Sequence, residues 1–179
     1  MSWNTQILVV PAAGMDALAP AGLSPHGAKI EGDLAVQQDF LSAVESDAGL
    51  ILVGNVIDPD LCGRLAASLQ REVVSAMFAG VSDTYMWQVC SPGADRFWAV
   101  QTGETVEDVG TPAPAEQGVE SLDEDSLFRL LFSYTGGELD LTELEAQPVR
   151  YASAGPEAGP DESSDTGRPN LFRRLFRRD

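Results

Sequence analysis

Between Val73 and Val109 the chain falls into short runs rich in aromatic and β-branched residues, each closed by a turn sequence, and few folds can use such a segment. The runs are Val73 to Ala79, Thr84 to Cys90 and Arg96 to Thr102. Gly80-Val81-Ser82-Asp83 and Ser91-Pro92-Gly93-Ala94-Asp95 divide them, and both compositions reverse a chain tightly. An antiparallel meander follows, with a fourth, shorter strand over Thr105 to Val109 after the turn at Gly103. Strand alternation places Tyr85, Trp87 and Val89 on one face, and Phe97 and Ala99 on one face of the next strand. Trp98 then faces opposite to Phe97, so an aromatic looks outward unless both faces are covered. Trp87, Arg96 and Trp98 are on that ground candidates for a surface that binds protein, beside the commoner role of core packing.

Around the meander the pattern mixes strands and helices. Gln6 to Val10 and Leu50 to Val56 are short apolar runs that read as buried strands. Asp33 can cap a helix over Leu34 to Ser46, with Val36, Phe40 and Val44 four apart on one face. Asp58-Pro59 opens a second helix to about Glu72, burying Leu61, Leu65 and Leu69. Ser121 and Glu124 form a capping box ahead of Leu127, Phe128, Leu130, Leu131 and Tyr134, and Gly136-Gly137 stops that helix. A short helix near Met15 to Leu18 and an edge strand at Val149 to Tyr151 complete the pattern. The expected fold class is α+β: an antiparallel meander over about residues 73–109, packed with three or so helices.

After Tyr151 the chemistry changes. Residues 152–167, Ala-Ser-Ala-Gly-Pro-Glu-Ala-Gly-Pro-Asp-Glu-Ser-Ser-Asp-Thr-Gly, hold no aliphatic side chain larger than alanine, so they cannot bury enough surface to offset the cost of ordering. They are expected to form a disordered linker between an acidic domain, 1–151, and a basic tail, 168–179. The charge is split the same way. Residues 1–167 carry 27 Asp/Glu against six Lys/Arg, a net of −21, and residues 168–179 carry five Arg against Asp179, a net of +4.

In the tail, Leu171, Phe172, Leu175 and Phe176 make one helical stripe, and Arg173, Arg174, Arg177 and Arg178 occupy the other side. Two tandem Leu-Phe-Arg-Arg copies behind Pro169-Asn170 suit a helix that forms on contact, because nine residues are too few to hold one alone. An anionic lipid surface contributes about 1 kcal/mol for each Arg close to it. A groove on a protein partner, or the acidic body of this chain or a neighbouring copy, would suit the same peptide. A body this acidic repels nucleic acid, so none is expected as a partner.

The inventory for chemistry is thin. His26 is the one histidine, and there is no G-x-S-x-G, H-E-x-x-H or Walker lysine. Asp123-Glu124-Asp125 suits a helix N-terminus better than a cation site. Cys62 and Cys90 lie in no metal-type spacing and read as buried free thiols. No catalytic residue, metal or cofactor is assigned. The N-terminal MSWNTQILVV lacks a basic leader region and no stretch nears the ~20 apolar residues of a membrane span, so a cytoplasmic protein, peripheral at the inner membrane face through its tail, is expected.

Tyr85-x-Trp87, Arg96-Phe-Trp98 and Gly110-Thr-Pro112-x-Pro114-x-Glu116 ahead of a capped helix resemble small uncharacterised cytoplasmic proteins of high-GC Gram-positive bacteria, some of them immunity-protein-like. The likeness covers about 60 residues without the tail, and it implies a non-catalytic role. The expectation is therefore a non-enzymatic adaptor whose tail docks on a membrane surface or a partner protein. The alternative is an acidic inhibitor, of the immunity type, that occludes a basic target such as a nuclease.

Overall fold

The computed structural model describes residues 4–56, 58–137, 139–142 and 144–151. The linker 152–167 and the tail docking residues Leu171 to Arg178 lie outside the described residues. The first apolar run forms β1 (Asn4–Pro11), and it sits near the middle of one ten-stranded sheet. Its neighbours are β5 (Gly49–Gly54) and β6 (Val73–Ala79), both antiparallel to it. Beyond β6 follow β7 (Thr84–Ser91), β8 (Ala94–Gln101) and β9 (Glu104–Val109), the meander expected from the turn sequences. Beyond β5 lie β4 (Ser42–Ser46) and β10 (Glu145–Tyr151), with the short strands β2 (Leu23–Pro25) and β3 (Ile30–Glu31) paired to β10. The fold is mixed α and β, with a large antiparallel sheet and three α-helices among the described residues.

Helices cover both faces, and that explains why β1 and β5 are apolar at nearly every position instead of alternating. Leu8 and Val10 of β1 pack with Leu61, Cys62, Leu65 and Ala66 of α2 (Leu61–Leu69). Ile7 and Val9 pack on the other side with Leu127, Leu130 and Leu131 of α3 (Glu124–Thr135) and with Ala35 of α1 (Gly32–Ala35). Gln6 is a polar exception, fully buried on the α2 side. Its carboxamide oxygen accepts the Asp58 N–H at 2.8 Å, and its Nε2 donates to the Asp58 carbonyl and to Ser75 Oγ, both at 3.0 Å. Every strong hydrogen-bonding group of this amide is matched, so its burial is tolerated.

Four boundaries depart from expectation. Residues 34–46 are not a helix: α1 ends at Ala35, and Ser42–Ser46 is a strand paired to both β5 and β10. Val44 faces the α3 layer and Ala43 the α2 layer, so the period there is two, and tertiary pairing overrides the four-residue spacing of Val36, Phe40 and Val44. At α2, Asp58 Oδ1 accepts the Asp60 N–H at 3.1 Å, and the helix starts at Leu61, later than Pro59; Gln70 closes it in the left-handed region. At α3 the cap lies two residues later than Ser121-Glu124. Asp123 Oδ1 accepts the Ser126 N–H at 2.8 Å, Ser126 Oγ accepts the Asp123 N–H at 2.7 Å, and Gly136 at φ 74° ends the helix as expected. Finally, β10 is no edge strand, since β4 flanks one side and β2 and β3 the other. The long exposed edge is β9, where Glu104, Glu107 and Asp108 discourage pairing with another chain.

The cap gives a direct expectation. Hydrogen bonds from the Ser126 backbone and hydroxyl hold the Asp123 carboxyl below its ordinary pKa. Its contribution to stability is thus present above the ordinary carboxylate range and is lost as pH falls through the lowered value. Asp123→Ala is expected to cost about 1 kcal/mol at neutral pH in urea denaturation, and to narrow that difference in acid.

Candidate functional site

Covering both faces decides the fate of the aromatic cluster. Trp87 and Trp98 are direct cross-strand partners on β7 and β8, and both point to the α3 side. Trp87 is 0% exposed, Trp98 6% and Arg96 5%, so none of the three candidate surface residues forms a surface. The outward aromatic expected on the other face is Phe97, which is half-buried against Met77, Met86 and Ala99. Trp87 instead meets the ring of Tyr134 at 5.8 Å, and the Arg96 guanidinium lies 5.7 Å from the Trp98 ring.

A buried arginine needs counter-charge. Arg96 finds it in Glu116, which arrives on a 3-10 turn, Pro114–Glu116, and is itself 6% exposed. Arg96 Nε donates to Glu116 Oε1 and Oε2 at 3.1 and 3.0 Å, and Nη2 donates to Oε2 at 2.8 Å. Nη1 donates to the Phe97 and Val109 carbonyls, at 3.2 and 3.1 Å, and to Asp108 of β9. Burial alone would lower the Arg96 pKa; the hydrogen bonds it donates to the Glu116 and Asp108 carboxylates outweigh burial and raise the pKa. Glu116 Oε1 also accepts the Ala113 N–H at 3.0 Å. One guanidinium thereby ties β8, β9 and the connector Gly110–Glu116 together. Gly110, at φ 88°, lets the connector lie against β8, where a Cβ would run into the Asp95 carbonyl.

Held in this way, the connector forms one wall of an open cleft of about 840 Å³. Pro112, Ala113, Pro114 and Ala115 line that wall, Ser133 and Tyr134 at the end of α3 the other, and Val89 the floor. Glu72 and Asp95 stand at its margin, and Arg96, the one cation lining it among the described residues, is matched by Glu116 and Asp108. The cleft is apolar inside and negative at its mouth, a combination that suits a cationic amphipathic ligand. A smaller hollow of about 450 Å³ lies between α2 and the β7–β8 turn and shares Ser91, Ala94 and Asp95 with it.

Tyr134 reports on the cleft. Burial first, then Glu72 and Glu116, push its pKa from the usual 10 up to about 12. A folded pKa raised in this way contributes stability below pH ~10 that is lost as pH climbs toward 12. The absorbance titration of wild type minus Tyr134→Phe is expected to place this phenol well above the ordinary tyrosine range. A midpoint near 10 would show that the phenol is hydrated and not buried against the cleft wall.

The remaining candidates are accounted for by structure. Cys62 of α2 and Cys90 of β7 are both buried in one apolar cluster, and the Cys62 thiol donates to the Val73 carbonyl at 3.3 Å. Burial, then the neighbouring Cys90, raises the Cys62 pKa well above normal, which suits an inert thiol. His26 is half-buried, its ring edge-on to Phe40 at 6.1 Å. Sequence reasoning missed Glu116 as the partner of Arg96, and with it Tyr134 and Glu72 as cleft residues. The available signal was an arginine inside an apolar strand, which demands an acid from elsewhere in the chain. No family model, curated protein or solved structure matches this chain.

Proposed function

We propose that this protein is a non-enzymatic adaptor whose C-terminal Leu-Phe-Arg-Arg repeat brings its acidic body to an anionic membrane surface. The observation that carries this is the charge split, −21 over residues 1–167 against +4 over 168–179, together with the tandem Leu-Phe-Arg-Arg sequence of residues 171–178. The anchor point supports it too. Tyr151, the last described residue, receives a hydrogen bond from Arg64 Nη2 of α2 at 2.8 Å, and the Arg64 guanidinium lies 5.3 Å from its ring. That contact holds the point from which residues 152–179 leave the sheet. Among the described residues, no helix is long and apolar enough to cross a membrane, so attachment through the tail would be peripheral. The body opposes attachment, but its field is screened beyond ~8 Å at physiological salt.

Flotation with vesicles of neutral and anionic phospholipid tests the proposal. The full chain is expected to float at low salt and to be released by about 0.5 M salt, as expected for binding through exposed charges. Removing residues 168–179 is expected to abolish flotation. Equal flotation with and without those residues would end the proposal, and capture by a protein in place of lipid would move the tail to a partner groove.

A second reading, an acidic inhibitor of a basic protein, is favoured by the cleft. It would seat a cationic amphipathic segment of the target between the proline wall and Tyr134, and it requires that binding survive removal of the tail.

A further inference from the structure

We infer that Cys62 of α2 and Cys90 of β7 form a redox clasp: free thiols in the reduced protein, they close into a disulfide under hydrogen peroxide and pin α2 to the sheet. Val73 and Cys90 are direct cross-strand partners on β6 and β7, and both face the α2 layer. Cys62 Sγ lies 3.3 Å from the Val73 carbonyl oxygen. Residues directly opposite in an antiparallel pair hold their Cβ atoms about 5 Å apart, so the Cys62 sulfur sits at the backbone next to Cys90. The Cys90 thiol is close enough to perturb Cys62, being the next cause of its raised pKa after burial. Two thiols this near are within reach of a disulfide, which needs Cβ atoms about 4 Å apart. The smaller hollow, of about 450 Å³, supplies the entrance. It is lined by Gly63 and Ala66, next to Cys62 and one turn along from it on α2, and by Ser91, which follows Cys90. Hydrogen peroxide is little larger than water, and Cys90, at 3% exposure against 0% for Cys62, is the first sulfur it meets.

The chemistry balances in two steps. The Cys90 sulfur attacks one peroxide oxygen and the O–O bond breaks. Cys90 becomes a sulfenic acid, and its thiol proton leaves with the other oxygen as water. The Cys62 sulfur then attacks the Cys90 sulfur. The S–S bond forms, the S–O bond breaks, and the Cys62 proton departs with the hydroxyl as a second water. The two sulfurs together lose two electrons, and the peroxide oxygens gain them. A thiol inert toward outside electrophiles is in this way captured by a sulfenic acid beside it. Only the thiolate is a strong nucleophile, and burial holds the proton on Cys62, so the second step is slow. The clasp therefore answers sustained oxidant and not a brief exposure. Once closed, it restricts the unfolded chain between residues 62 and 90 and holds α2 on β7 in the folded one. Arg64, two residues beyond Cys62, is the side chain that grips Tyr151, so oxidation also steadies that contact.

The test uses the full chain, reduced, freed of thiol and treated with hydrogen peroxide under native conditions. Its intact mass is expected to fall by two hydrogens, peptide mapping to join Cys62 to Cys90, and dithiothreitol to reverse both. The melting temperature of the oxidised monomer is expected to rise by about 5–10 °C. Cys62→Ala is expected to stop at one added oxygen on Cys90, trapped by dimedone, and Cys90→Ala to leave Cys62 unmodified. The near-isosteric serine variants repeat this wherever an alanine cavity unfolds the chain. Oxygen added to the native protein without loss of two hydrogens, a disulfide between chains, or a Cys62–Cys90 bond that forms only in urea would overturn the inference. So would an unchanged mass after prolonged peroxide that oxidises glutathione in the same tube. A bond that lowers the melting temperature would overturn it as well, because adjoining sulfurs need no distortion to close.

Discussion

Arg96→Ala is expected to destabilise the protein by about 3–5 kcal/mol, more than a surface arginine could account for. The size follows from what is left behind. Glu116 would stay as a buried carboxylate without its guanidinium, and breaking one side of a buried pair costs that much because the survivor is uncompensated. The Phe97 and Val109 carbonyls lose a donor as well. Because the same guanidinium fastens the connector to β8 and β9, the loss should also loosen the proline wall of the cleft. Urea denaturation measures the first effect, and faster amide exchange at Ala113 and Glu116 the second. The double variant Arg96→Met/Glu116→Leu is expected to recover most of the stability, since well-packed apolar replacements of a buried pair are often neutral. If Arg96→Ala costs under about 1 kcal/mol, the network is exposed in solution and the wall is not held by it.

Trp87→Ala should cost a similar 3–5 kcal/mol, by a different route. Trp87 is fully buried between β6 and β8, against Tyr134 of α3, so truncation leaves a cavity where the sheet meets the helix. Trp87→Phe is expected to be far milder than the lost volume suggests. The indole N–H of Trp87 has no hydrogen-bond partner among the described residues, and phenylalanine removes that unmatched donor while keeping an aromatic ring. Thermal melts of the two variants, followed by near-ultraviolet circular dichroism, would separate cavity from orphaned donor. Equal losses in both would show that the N–H is matched in solution.

These two residues mark where sequence reasoning worked and where it stopped. The meander was legible because hairpins are local. Turn chemistry at residues 80–83 and 91–95 and a period of two between them fix the strand boundaries to within about two residues. The stop of α3 at Gly136 was legible for the same reason, since a left-handed glycine ends a helix on its own terms. Residues 42–46 were not, because both periods fit a spacing of four, and only pairing with β5 and β10 decides between them. Nor was the cleft, whose floor at residue 89 and walls at 112–115 and 133–134 meet only once α3 is laid on the sheet.

By itself the sequence determined the antiparallel meander, the helix stop at Gly136 and the opposition of charge between body and tail, all of which depend on neighbours along the chain. Tertiary structure decided that both sheet faces are covered, that β10 is interior, and that Trp87, Arg96 and Trp98 are buried instead of displayed. Burial is set by what packs over a face, and α3, which shields the face carrying Ile7 and Val9 of β1, lies more than 100 residues from that strand in the chain.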